Sequence, residues 1–194
     1  MRKIKNIKVK VVKKPEIYIG DHFIYKDIEW VCLDIIDGNY LAITAKVWKE
    51  LLPFDDSSNN WEKSSLRKML NNNFLNNFNK NNLILQTSDL TADNGDKSYG
   101  TCKDYVTILS CDQYRKYKDL VPCYSDWIWT LTPQNCYNYK GCRVRGIHPT
   151  GYINNYDNHT PNGIAPVCLF SSKILKSKDL VLFSKIKTIG KVLE

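Results

Sequence analysis

The order of periodicities along the chain predicts an α+β fold. Runs rich in β-branched and aromatic residues occupy both ends, a block with four-residue apolar spacing lies between them, and strands and helices do not alternate as a parallel βαβ series requires. Lys8-Val9-Lys10-Val11 alternates with period two and is stopped by Pro15, the pattern of an edge strand or arm. Phe23-Ile24-Tyr25, Ile28 to Ile36 and Tyr40 to Thr44 follow as three β-rich runs. Asp37-Gly38-Asn39 joins the last two, and Asp-Gly between apolar runs marks a tight hairpin.

Past Pro53 the period changes. Leu66, Leu70, Phe74 and Phe78, with Met69 beside them, predict an amphipathic helix that Ser64 caps. Asparagines prefer caps and turns, so those between Asn71 and Asn82 predict a break near Asn71–Asn73. Residues 86–104 read as a long polar surface loop. Tyr105 to Leu109 forms a short strand, and Ser110 or Asp112 caps a helical turn through Tyr114 and Tyr117. Four more short strands follow, at Trp127–Leu131, Arg143–Ile147, Gly151–Ile153 and Ile164–Phe170. Leu180–Phe183 and Lys185–Lys187 offer a last strand as a partner for the N-terminal one. The expected organisation is a basic arm over 1–19, one domain over 20–172 and a basic strand or tail over 173–194.

With 194 residues the chain can bury a single core without staples. Its net charge of +8 would suit nucleic acid. That charge, however, sits on the flanks: Arg2, Lys3, Lys5, Lys8, Lys10, Lys13 and Lys14 precede any acid, and six lysines lie in 173–194, so the middle is net acidic. A basic groove through the fold is therefore not expected. The 7 cysteines form no C-x-x-C pair, which predicts free thiols and a reducing cytoplasm, or carriage in a virion. Charges interrupt Ile4 to Val12, leaving no signal-peptide core, and no apolar run approaches the roughly 20 residues that span a bilayer.

The residues that carry chemistry are sparse. A zinc site would have to draw on Cys136, Cys142, His148 and His159, which lack ligand spacing. Calcium would have to draw on Asp157 with Asn154, Asn155 and Asn158, an ordinary turn composition in which Thr160-Pro161-Asn162 supplies no carboxylate. None of His22, His148 and His159 stands in a nucleophile motif, and the glycines are dispersed singly, so no enzyme activity, metal or cofactor is expected. What remains is a binding face on predicted loops and strand ends. Its residues are Tyr137, Tyr139, Arg143, Arg145, His148, Tyr152, Asn154, Tyr156, Asp157 and His159, types enriched where partners are gripped. Trp30, Trp61, Trp127 and Trp129 are assigned to the core, because their neighbours alternate as buried strands do.

Three blocks together resemble the bacterial and phage family defined by domain of unknown function 6273, itself similar to the C-type-lectin-like fold. The first is Trp30-Val31-Cys32-Leu33-Asp34 followed by Trp61-x-x-Ser64-x-Leu66-Arg67-x-x-Leu70-Asn71-x-x-Phe74-x-x-x-Phe78. The second is Asp104-x-Val106-x-Ile108-Leu109-Ser110 with Tyr117, and the third is Trp129 to Pro133, Gly151-x-Ile153 and Gly163-Ile164-x-Pro166. Leu131 and Ala165 stand where the family has arginines, and Ile128 replaces one tryptophan of a pair, so no site is carried over from those positions. The resemblance implies a C-type-lectin-like domain with mixed or antiparallel sheets, paired terminal strands, two main helices and a loop-rich C-terminal half that forms the ligand face.

On this reading the chain is a non-enzymatic binding protein of phage or mobile-element type that recognises a protein or glycan. The alternative is a phage anti-defence inhibitor that engages a nucleoprotein machine through the basic flanks.

Overall fold

A computed structural model describes residues 16–137 and 142–183, and the structural statements below concern these. The basic arm from Arg2 to Lys14, Tyr139 and the stretch Lys185–Lys187 lie outside the described residues.

The architecture is α+β with antiparallel strand pairing. Strands β1 (His22–Tyr25), β2 (Ile28–Ile36) and β3 (Asn39–Thr44) form a meander. Helix α1 (Ser65–Met69) comes next, then β4 (Leu83–Ile84), β5 (Gln86–Asp89), β6 (Thr101–Asp104) and β7 (Val106–Thr107). Helix α2 (Cys111–Tyr117) precedes β8 (Ile128–Pro133), β9 (Arg143–Ile147), β10 (Ile153–Asp157), β11 (Val167–Phe170) and β12 (Leu180–Leu182). The main sheet has the order β12-β1-β2-β3-β11-β4, with β7 also on β11; β10-β9-β8 form a second sheet and β5-β6 a two-stranded ribbon.

The hairpin between β2 and β3 turns at Asp37 (φ 50°) and Gly38 (φ 74°), so both central residues take the left-handed conformation that a type I′ turn demands. Alternation in the main sheet then loads two cores. Trp30, Cys32, Tyr40, Ala42, Cys168 and Phe170 face one way, onto Leu66, Leu70, Phe74 and Phe78. Val31, Leu33, Leu41, Ile43, Val167 and Leu169 face the other, onto Tyr114, Tyr117, Ile128 and Ile147. A bulge between Cys32 and Asp34 shifts the register by one, so Asp34 opposes Leu41. Its carboxylate thereby reaches the α2 side, where it accepts from the Tyr117 hydroxyl at 2.7 Å and the Lys116 ammonium at 2.9 Å.

The predicted helix exists but changes pitch. After α1 the chain widens to a π-helical turn over Leu70–Phe74 and tightens to a 3-10 turn over Leu75–Asn77. The break expected near Asn71–Asn73 does not occur, because these residues stay helical within the π turn. Ser64 caps α1 by accepting from the Arg67 N–H, and Ser110 caps α2 in a reciprocal box with Gln113.

Several expectations need correction. The polar segment 86–104 is not one loop, because β5 and β6 pair across it from Gln86↔Asp104 to Asp89↔Thr101. Asn154 to Asp157, expected in a loop, are strand β10. The last strand, β12, pairs with β1, Phe23 opposing Leu182, while the N-terminal strand at Lys8–Val11 expected as its partner lies outside the described residues. Trp127 is not a core residue but half-buried at the surface, unlike the fully buried Trp30, Trp61 and Trp129.

Candidate functional site

The densest motif in the sequence resolves into a structural pin. The Trp61 indole N–H donates to Asp104 Oδ2 at 3.0 Å, and Arg67 Nε donates to both oxygens of the same carboxylate at 2.8 and 3.0 Å. The Asp104 side chain is 2% exposed, and with the Cys102 thiol donating to Oδ2 at 3.4 Å three donors replace the water it lost. The hydrogen bond to Asp104 raises the Arg67 guanidinium above its ordinary range. Four residues beyond Arg67, the Asn71 side chain donates to the Val106 carbonyl at 2.8 Å and accepts from the Val106 N–H at 3.2 Å, imitating a strand partner for β7. Trp61, Arg67, Asn71, Asp104 and Val106, which join the first two resemblance blocks, therefore tie the helix to β6 and β7 and are not free to meet a ligand.

The surface of the second sheet is built differently. Its strands alternate, so Gly146, Asn154 and Tyr156 share one face while Arg143, Arg145, Asn155 and Asp157 share the other. On the first face Trp127 is surrounded by rings: Tyr156 at 4.5 Å, His148 at 4.7 Å and Tyr152 at 5.2 Å between centroids. His148 and Tyr152 stack on each other at 4.3 Å and 20°, and Tyr152 stands at 89° to Trp127. Gly146 lies beneath them, with room for a Cβ at ordinary contact distance. A Cβ there would lie 3.5 Å from Tyr156 and 3.6 Å from Trp127.

The turn that presents His148 and Tyr152 is tied at every step. Gly151 N–H donates to the His148 carbonyl at 2.8 Å, His148 N–H to the Tyr152 carbonyl at 2.9 Å, and Thr150 N–H to His148 Nδ1 at 3.0 Å. Accepting at Nδ1 places the neutral imidazole's proton on Nε2. The Tyr114 hydroxyl of α2 donates to the Gly151 carbonyl at 2.9 Å, and a side chain at Gly151 would face both φ +92° and that hydroxyl at 3.0 Å. Beside this turn, between it and the segment after α2, opens a cleft of about 430 Å³. Lys118, Asp119, Cys123, Asp126, His148 and Thr150 line it, so His148 belongs to both the ring cluster and the cleft.

The other sequence-predicted site residues are scattered. Arg143 is exposed, with Nε 3.4 Å from its cross-strand neighbour Asp157. Arg145 is ion-paired with Asp93, which also receives Arg115, so its charge is spent within the molecule. Asn154 Oδ1 accepts from the Asn155 N–H, covering a donor on the open edge of β10. Tyr137 and His159 are exposed and separate from the ring cluster.

Among the described residues, no three His, Cys, Asp or Glu side chains converge as metal ligands would. Cys136 is half-buried, Cys123 exposed and the other five cysteines buried. Burial pushes Cys32 up to about 12 and Cys102 up to about 11, which keeps both protonated at neutral pH. Sequence reasoning missed Trp127 as a surface residue; the available signal was Asp126 and Ser125 beside it, which start the strand at solvent. No family model, curated protein or solved structure matches this chain.

Proposed function

We propose that this chain is a non-enzymatic binding protein with a C-type-lectin-like domain, related to the bacterial and phage family of domain of unknown function 6273, and that it recognises a protein or glycan through the face of its second sheet. The observation that carries the reading is the cluster of Trp127, His148, Tyr152 and Tyr156, rings half-buried or exposed at the surface, two of which, His148 and Tyr152, flank a turn tied to α2 by Tyr114. Rings at a surface lose hydrophobic stabilisation that burial would give, and a prepaid, rigid aromatic patch is what a partner exploits. The pairing of β1 with β12 at one end of the main sheet supports the lectin-like reading, since the resemblance implies paired terminal strands.

The test compares the full chain with a Tyr152→Ala, Tyr156→Ala double variant on immobilised glycan and protein arrays, with circular dichroism to check the fold. A ligand retained by the parent and lost by at least tenfold in the variant is expected, about 1.4 kcal/mol per factor of ten and within the range of aromatic anchors. Equal binding by both moves the site off this face.

A further inference from the structure

We propose that Asn94-Gly95 is a self-modification site, at which the Gly95 backbone nitrogen attacks the Asn94 side chain and converts it, through a cyclic imide, to a carboxylate. The chain has two Asn-Gly pairs, and the fold treats them oppositely. Asn162 is 4% exposed, its backbone bonds Leu52 in both directions at 2.9 and 3.1 Å, and the Gly163 N–H donates to the Trp127 carbonyl at 2.7 Å. A Cβ at Gly163 would meet that carbonyl and Val47 at 3.0 Å, so this pair is crowded as well as tied. Asn94 and Gly95 are both exposed, in the loop between β5 and β6. Gly95 has φ +87°, and a Cβ built on it would find open space. Here the nitrogen and the amide carbon are neighbours with room to close a five-membered ring, and such proximity replaces an external nucleophile.

The loop also prepares the reacting carbonyl. Asn94 Oδ1 accepts from the Asp96 N–H at 3.1 Å, a donor placed where negative charge gathers as nitrogen adds to Cγ. One bond opposes the attack: the Gly95 N–H donates to the Ala92 carbonyl at 2.8 Å and must be released first. It lies in an exposed loop, where local opening costs least. Hydroxide then takes the Gly95 proton, the N–Cγ bond forms, the Cγ–Nδ2 bond breaks, and ammonia leaves with a proton from water. Water adds to either carbonyl of the ring, giving an aspartyl linkage at position 94 or, where the main-chain carbonyl is attacked, an isoaspartyl one. Amide and water become carboxylate and ammonium, with no change of oxidation state. The product falls beside a clamp. Asp93 holds Arg145 of β9 and Arg115 of α2, and its N–H donates to the Pro133 carbonyl of β8 at 2.9 Å. Asp89, Asp93, Gly95, Asp112 and Arg115 line one cleft, so the new carboxylate meets like charge, and the isoaspartyl form inserts an extra backbone atom next to Asp93.

The experiment ages the full chain in mildly alkaline buffer made with heavy-oxygen water, natively and unfolded in urea, and maps each digest by mass spectrometry with electron-transfer fragmentation. In the native chain the expected result is one solvent oxygen gained at position 94 with Asn162 unchanged, whereas in urea both pairs convert. Gly95→Ala slows the native conversion about tenfold and Asn94→Gln abolishes it, with circular dichroism to check both folds. The aged native chain is expected to unfold at lower urea than a fresh one, and Asn94→Gln to keep its midpoint through the same ageing. Position 94 unconverted in the native chain while it converts in urea overturns the site, and so does native conversion of Asn162 at an equal rate. A midpoint unmoved by full conversion at position 94 overturns the effect on the Asp93 clamp.

Discussion

Trp30 and Trp127 each gather three aromatic rings, yet the two clusters are opposites. Around Trp30, Phe170 stands at 4.8 Å, Phe78 at 6.0 Å and Phe74 at 6.2 Å, all steeply inclined, and Trp30 is fully buried. Their partners come from β2, β11 and the helical segment after Ser64, so the rings hold together elements distant in sequence. Around Trp127 the rings are contributed by one end of β9–β10 and the turn between them, and Tyr152 remains half exposed. Removing the first cluster takes away a core; in the second only Tyr152 is exposed, while Tyr156 also packs on the core beside Trp129. The contrast teaches that aromatic content alone does not separate scaffold from site, and that what separates them is whether the ring bridges distant elements.

The polar half of the scaffold should give the largest effect. Asp104→Ala leaves the Arg67 guanidinium and the Trp61 indole N–H without their buried acceptor, a loss of about 3–5 kcal/mol on breaking such a pair from one side. Urea unfolding followed by tryptophan fluorescence measures it, and a change below about 1 kcal/mol would mean that the pin contributes little to holding the helix on β6. Arg67→Ala should cost less than Asp104→Ala, because Asp104 keeps the Trp61 donor.

Next in size is an alkaline weakening. Burial raises the Cys32 thiol to about 12, with the backbone carbonyl of Asp34 opposing this only in part, while an unfolded thiol titrates near about 8.5. The folded state therefore binds the extra proton between those two values. Stability from this group is complete below the unfolded value and falls as pH rises toward the folded one, by up to about 1.4 kcal/mol per pH unit. Cys102, raised to about 11, adds a second, shorter window of the same sign. Unfolding midpoints at pH 7 and pH 10 should differ, and Cys32→Ala should flatten the slope between them. An identical slope in that variant would assign the alkaline loss to other groups.

Much of the scaffold was legible because its signals are local. Asp37-Gly38 marked the hairpin between β2 and β3, Ser110 or Asp112 marked the start of α2, and four-residue spacing found the face of the helix that packs on Trp30. What stayed hidden depends on partners far along the chain. Asp104 meets Trp61 and Arg67 across 43 and 37 residues, so the sequence showed the motif but not that its members bind one another. β5 reads Gln-Thr-Ser-Asp and β10 ends Asn-Asn-Tyr-Asp, residues poor in strand preference, and only pairing with β6 and β9 makes them extended. The site was half legible: composition found His148, Tyr152 and Tyr156, whereas strand alternation, which moves Arg143 and Arg145 to the opposite face, could be applied only once β9 and β10 were in register.

The smallest expected effect is the one that separates the two clusters most cleanly. Tyr152→Ala removes a ring that is 50% exposed and makes its contacts to His148 and Trp127 at the surface, with its backbone carbonyl still held by the His148 N–H. A surface truncation of this kind should change unfolding stability by no more than about 0.5 kcal/mol. Phe74→Ala, measured beside it, should cost about 3–5 kcal/mol, because it opens a cavity among Trp30, Trp48 and Phe78 that the surrounding sheet cannot close. If Tyr152→Ala instead destabilised the fold by several kcal/mol, the ring would be holding the β9–β10 turn in place. Its exposure would then reflect structural support rather than readiness for a ligand.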